Sequence, residues 1–197
     1  MILRLPILAA AVVILVGGDV AQIRNVEPDP LLARMWDSWT TLRPAAGPII
    51  IENCAVVWSD GHFHMELRRQ ESMDSRTTLD IYEGALDNKS VQILKKILDA
   101  DAIKKLTTPK SPRFPTDASL EGFSAVISRT EKKQDVGYFI VKAGPENPDN
   151  VVQEWQESQT ALHPLVEWFR ALKTYKNPAK HRVSNSQSTV CGLTPLS

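Results

Sequence analysis

Residues 49–69 constrain the fold of this chain more than any other stretch. "IIIENCAVVW" is dense in β-branched residues, Ser59-Asp60-Gly61 interrupts it, and "HFHMELRR" then alternates strictly. A three-residue loop ending in glycine suits a type I turn closed by a G1 bulge, so the two runs read as one antiparallel hairpin. The loop sets the register: Trp58 opposite His62, Val56 opposite His64, Cys54 opposite Glu66. One face then carries Ala55, Val57, Phe63, Met65 and Leu67, the candidate core. The other carries Cys54, Val56, Trp58, His62, His64 and Glu66; it is half apolar and calls for a cover.

Around the hairpin the patterns alternate between strand and helix. "DPLLARMWDSWTTLRP" predicts an N-terminal helix, with Asp29 as cap, Pro30 in the first turn and Leu32, Met35, Trp36 and Trp39 as an apolar stripe. A third strand is expected near Thr77–Glu83. Asp87 or Asn88 can then cap a helix with Val91, Leu94, Ile97 and Leu98 facing the core, and a short further turn from Asp99 buries Ile103 and Leu106. The proline-bearing run "TTPKSPRFPTDAS" is a connection. "GFSAVISR" and "VGYFIVK" flank the polar turn "TEKKQD" as a second hairpin. The run from Val151 to Tyr175 is helical, interrupted or restarted at Pro164, with Leu165, Val166, Trp168, Phe169 and Leu172 as its core face. The polar residues from Asn177 onward have the composition of a tail.

Strand pairs with separated helices, and no regular βαβ alternation, predict an α+β fold. The expected architecture is an antiparallel sheet of about five strands, made of two hairpins plus one strand. Two main helices pack on one of its faces, beside the N-terminal helix. Along the chain this gives a leader over 1–18, an N-terminal segment with its short helix over 19–47, one α+β domain over 48–176 and a polar tail over 177–197.

The leader reading rests on "MILRLPILAAAVVILVGG". Arg4 is a short positive region and Leu5–Val16 is apolar throughout, which suits a secretory signal and is short for a membrane span. Val16 and Gly18 are small enough to occupy the −3 and −1 positions of a cleavage site, which places the cut near Gly18. The expectation is a periplasmic or secreted protein, with an uncleaved N-terminal anchor as the alternative. Without Arg4 the remaining chain has 22 basic and 23 acidic residues. It therefore has no global field to recruit nucleic acid or an anionic membrane.

In an exported chain the only two cysteines, Cys54 and Cys191, are expected to pair. That bridge would tether the polar tail across the histidine face of the hairpin. Closing so long a loop is worth on the order of 4–5 kcal/mol in the chain-entropy relation.

Candidate chemistry is sparse. His62 and His64, two apart on a strand, lie roughly 6.6 Å apart on one face, a spacing that lets two imidazoles converge on a metal. Glu66 is roughly 13 Å from His62 and cannot join the same coordination sphere without a bend. Asp80 and His163 are the remaining candidates for a third ligand, without support from spacing. Packing is the preferred reading of the pair, so no metal, cofactor or catalytic residue is assigned. G-x-S-x-G, H-E-x-x-H, G-x-G-x-x-G and G-x-x-x-x-G-K motifs are all missing from the sequence. Of the basic clusters, Lys95-Lys96 and Lys104-Lys105 lie on a helix that also carries Asp99 and Asp101. Lys173–Arg182 follows a helix C-terminus, where cations favour the macrodipole. Nucleic acid would want aromatics interleaved on the same face, and export argues further against it.

Taken together, "ENCAVV", "SDGHFHMELRRQ", "VGYF", "TALHPLVEWF" and "RVSNSQSTVCG" resemble a group of exported bacterial proteins with no assigned activity. The resemblance spans about Glu52 to Gly192 and implies export and one compact unit. More loosely, the strand pair leading into "YEGALDNKSVQILKKIL" is similar to small exported binding or inhibitor modules. The functional expectation is a non-enzymatic exported domain that binds a protein or cell-envelope partner, with no stable membrane span once the leader is removed. The alternatives are a metal-dependent enzyme using His62 and His64, and a structural envelope component.

Overall fold

The computed structural model describes residues 31–43, 47–70, 78–112, 119–130, 132–142, 148–175, 179–184 and 190–191. The leader, with its expected cleavage site, lies outside them. Seven strands form one sheet: β1 (Leu31–Arg43), β2 (Gly47–Trp58), β3 (His62–Gln70), β4 (Thr78–Ala85), β5 (Ser119–Ser128), β6 (Lys133–Lys142) and β7 (Ala179–Ser184). Their spatial order is β6-β5-β1-β2-β3-β4-β7, and every pairing is antiparallel. Three helices complete the α+β architecture: α1 (Asn88–Leu98), the single turn α2 (Asp101–Lys104) and α3 (Asp149–Ala171), which closes in a 3-10 turn at Leu172–Thr174.

The β2–β3 hairpin has the expected register, with Cys54 opposite Glu66 and Val56 opposite His64. Gly61 provides the turn. Its φ is +91°, its N–H donates to Trp58 O at 3.1 Å, and its carbonyl accepts from Leu86 N at 2.9 Å. A side chain there would meet Leu86 O at 2.9 Å, so both the backbone angle and the space favour glycine.

Two expectations are corrected. The segment read as an N-terminal helix is β1, an interior strand, paired with β2 on one side and β5 on the other. An interior strand buries side chains on both faces. Ala33 and Met35 enter the main core while Trp36 packs on the opposite face, and a strand that is apolar on both sides can pass for a helical stripe. The sheet therefore has seven strands where about five were expected. The seventh comes from the presumed tail: β7 pairs with β4 from Thr78↔Ser184 to Glu83↔Ala179.

The main core lies between one sheet face and the helices. Ala55, Val57, Phe63 and Met65 of the hairpin join Phe123, Ala125 and Ile127 of β5, and above them sit Leu94 and Leu98 of α1 and Leu162, Leu165 and Phe169 of α3. Phe123 and Phe169 meet edge to face at 5.9 Å. Asp87 caps α1, its carboxylate accepting from Ser90 N at 2.8 Å. The carbonyls at the far ends of α1 and α2 are met by the second hairpin. Arg129 donates to Leu98 O, and Gln134 donates to Ile103 O and Leu106 O. α3 runs through Pro164 as one helix, where an interruption was expected.

Candidate functional site

The histidine face is a row of charges under a cover. On β3 the alternation places His64, Glu66 and Arg68 on the side away from the helices, and all three are buried. Nε2 of His64 lies 2.8 Å from Glu66 Oε1, and its Nδ1 lies 2.8 Å from Oε1 of Glu83 on β4. Burial alone would lower the imidazole pKa and is the largest single influence. The hydrogen bonds to Glu66 and Glu83, with the charges of those carboxylates, together outweigh it and raise the pKa above the ordinary 6.5. Two carboxylate acceptors on the two ring nitrogens are the arrangement an imidazolium satisfies with both its protons. Arg68 Nη1 lies 3.7 Å from Glu52 Oε2 on β2, so cations and carboxylates interleave across three strands.

The same geometry places the two histidines in different settings. The ring of His62 is exposed and pairs with Asp60. Both ring nitrogens of His64 are engaged by carboxylates. Asp80 faces the opposite side of the sheet, in register with Leu67, and His163 is exposed on α3. Among the described residues no group of three or more His, Cys, Asp or Glu side chains is placed to hold a metal ion.

Cys54 and Cys191 form a disulfide with Cα atoms 6.0 Å apart. Both are fully buried and build a second, smaller apolar cluster with Val56, against which Leu31, Trp36, Trp58 and Val190 pack. Val190 and Cys191 thus lie on the histidine face, beside the buried charge row. An open depression of about 570 Å³ remains next to it, bounded by Trp58, His62, His64, Glu83 and Val190. In its wall His64 and Glu83 are bonded to each other, and His62 pairs with Asp60.

The helix-side face behaves differently. Past the row Met35–Ala55–Met65, α3 packs on Phe123 through Phe169 and reaches Asp37 through Arg170. The next two rows continue across six strands. One reads Asp80–Leu67–Asn53–Asp37–Phe123–Tyr138 from β4 to β6, and its outer neighbour reads Thr78–Arg69–Ile51–Trp39–Glu121–Ile140. Two hollows of about 290 and 390 Å³ lie along these rows and share Ile51, Asn53 and Arg170. They form one furrow, walled on the helix side by Phe169, Arg170 and Lys173 at the C-terminal end of α3 and just beyond it. Arg170 Nε sits 3.5 Å from Asp37 Oδ2. Burial raises the pKa of Asp37 more than Arg170 lowers it, and the charge of Glu121 adds to the rise. Tyr138, buried at the same end, also has its pKa raised, first by burial and then by Asp37.

The sequence reading named Trp39 as part of a helical stripe and Asp80 as a candidate metal ligand, and placed neither with Asp37, Asn53, Ile51 or Arg170. The missed signal is in β1, where Ala33, Met35, Asp37 and Trp39 alternate with Arg34, Trp36, Ser38 and Thr40. Read with a period of two, it places Asp37 and Trp39 on the core side of a strand. No family model, curated protein or solved structure matches the chain.

Proposed function

We propose that the protein is an exported binding domain that acts without catalysis and takes its ligand in the helix-side furrow. One observation carries this reading: Trp39 and Ile51 face each other in the outer row, half-buried, in a furrow that Asp37, Glu121 and Arg170 also line. An antiparallel sheet face that meets only water is normally polar, and an open apolar strip with convergent polar groups is the ordinary form of a ligand surface. On the other sheet face Val190 and Cys191 pack over Cys54 and Val56, and His64 is engaged by Glu66 and Glu83. Support for export comes from the leader-like first eighteen residues and from the disulfide, a bond that persists in oxidising compartments. No helix among the described residues is long and apolar enough to cross a membrane. The partner is a protein or another component of the cell envelope.

The test compares capture of partners from envelope extracts by three forms of the chain, each checked for an unchanged circular dichroism spectrum. The furrow variant Trp39→Ser/Ile140→Ser loses the specific partner, and Glu83→Gln on the other face keeps it. If the furrow variant captures the same species in the same yield as the wild type, the reading is wrong.

A further inference from the structure

Arg34 of β1 carries a charge that the described residues do not meet. It is half-buried on the histidine face of the sheet, and its Nε is covered without a hydrogen-bond partner. It forms no ion pair among the described residues. Beside it in the sheet stand Val56 on β2 and Val126 on β5, whose side chains offer no acceptor. Other carboxylates on this face serve other cations: Glu66 and Glu83 hold His64, and Glu52 lies by Arg68. Asp135 is exposed on β6 beyond Val126, two strand spacings or roughly 10 Å from Arg34 along the row. What Arg34 does touch is Trp36, whose ring centroid lies 5.9 Å from the guanidinium carbon. Such a cation–π contact holds the guanidinium in place but takes up none of its hydrogen bonds.

A half-buried cation without a partner is costly, and such a group calls for a ligand that completes it. Of the three guanidinium nitrogens only Nε is fully covered, so the two Nη groups are the edge open to a ligand. We propose that Arg34 and Trp36 form a second binding site, on the sheet face opposite the furrow, for a monocarboxylate with an apolar body. The two Nη groups donate in parallel to the two carboxylate oxygens, a fork that arginine offers and lysine does not. One cation calls for one negative charge. A phosphate dianion would need a second base, and the flanking Val56 and Val126 supply none. The apolar body lies on Trp36 and Val126, both half-buried, and covers surface that a bare acetate ion would leave in water. A neutral apolar ligand would instead seal the guanidinium from water still unpaired. The site shares no residue with the furrow, so either assignment can fail without the other.

The experiment titrates the full chain with octanoate, octanol, octyl phosphate and acetate, and follows the backbone amide shifts of Arg34, Val56 and Val126 by NMR. Octanoate binds about tenfold or more tighter than octanol, the scale of a charge-assisted hydrogen-bond pair, and tighter than octyl phosphate or acetate. In Arg34→Gln octanoate loses that advantage. The comparison is made between two ligands on one variant, so a merely destabilised chain does not imitate the result. Trp39→Ser/Ile140→Ser, which alters the furrow, leaves octanoate binding unchanged; a loss there would place the ligand in the furrow and overturn the Arg34 site. Equal binding of octanoate and octanol, a preference that survives Arg34→Gln, or no shift with any of the four also overturns it. Tighter binding of octyl phosphate than of octanoate overturns the carboxylate assignment.

Discussion

Removing the disulfide is the perturbation whose size the structure sets most directly. Cys54 and Cys191 are separated by 137 residues along the chain. A crosslink closing a loop of that length restricts the unfolded ensemble by about 5 kcal/mol in the chain-entropy relation, and loss of native bridges typically costs about 2–5 kcal/mol. Cys54→Ala/Cys191→Ala should therefore lose at least about 2 kcal/mol, which at about 2–4 °C per kcal/mol lowers the melting temperature by roughly 4–20 °C. Urea titration is the assay, run on the oxidised chain, the double variant and the reduced wild type. The reduced wild type keeps the sulfur atoms in their buried cluster, so its agreement with the variant separates the crosslink from the packing of Cys54 and Cys191. The unfolded chain also exposes more surface without the link, so the urea m-value should rise. A loss below about 1 kcal/mol with an unchanged m-value would refute the reasoning, because the unfolded chain would then owe nothing to the link.

Further outcomes follow from single groups. His64 has a folded-state pKa above its ordinary 6.5, so its imidazolium contributes stability in full below that value and loses it as pH rises through the raised pKa. The urea midpoint should accordingly fall on the alkaline side of 6.5, and His64→Gln should flatten that slope. The net rise in the pKa of Asp37 means that its charged form is disfavoured by folding, so Asp37→Asn should raise the melting temperature at pH 7 while weakening ligand capture. Gly61→Ala combines a positive φ with a 2.9 Å approach to a backbone oxygen; it should cost about 1–3 kcal/mol in urea unfolding.

The hairpin was legible because three independent signals coincide there: β-branched density, a turn with one glycine in the right place, and strict alternation. Together they placed Val56 opposite His64 and Cys54 opposite Glu66. The disulfide was legible because two cysteines allow a single intramolecular pairing. β1 was not legible, since Leu32, Met35, Trp36 and Trp39 satisfy a helical period as well as a central strand does. The preceding Asp29-Pro30 then tipped the reading toward a helix start. That one misassignment hid the furrow, because Asp37 and Trp39 reach it only from a strand lying between β2 and β5. β7 was missed for the opposite reason. Ala179–Ser184 has little apolar character of its own, and its place in the sheet comes from the edge of β4 it pairs with. Alternation puts Glu66 beside His64 on one face of β3, but alternation alone could not show that Glu83, from another strand, would reach the other ring nitrogen.

The position of β1 also bears on how the chain reaches its native state. The first strand in sequence lies inside the sheet, and Ala33 must wait for Ile127 before its second edge is paired. The run β1–β4 can zip up locally, hairpin by hairpin, yet until β5 arrives it presents the free edge of a strand bearing Met35, Trp36 and Trp39. Such an edge is a template for pairing with another chain. At the other side β4 stays open until β7 arrives, and Cys54 has no intramolecular partner until Cys191 follows. Long-range closure of this kind makes for slow folding. The interval between making β4 and making β5 and β7 is when this protein is most exposed to aggregation. A holdase that masks strand edges would raise its yield more than a disulfide catalyst would.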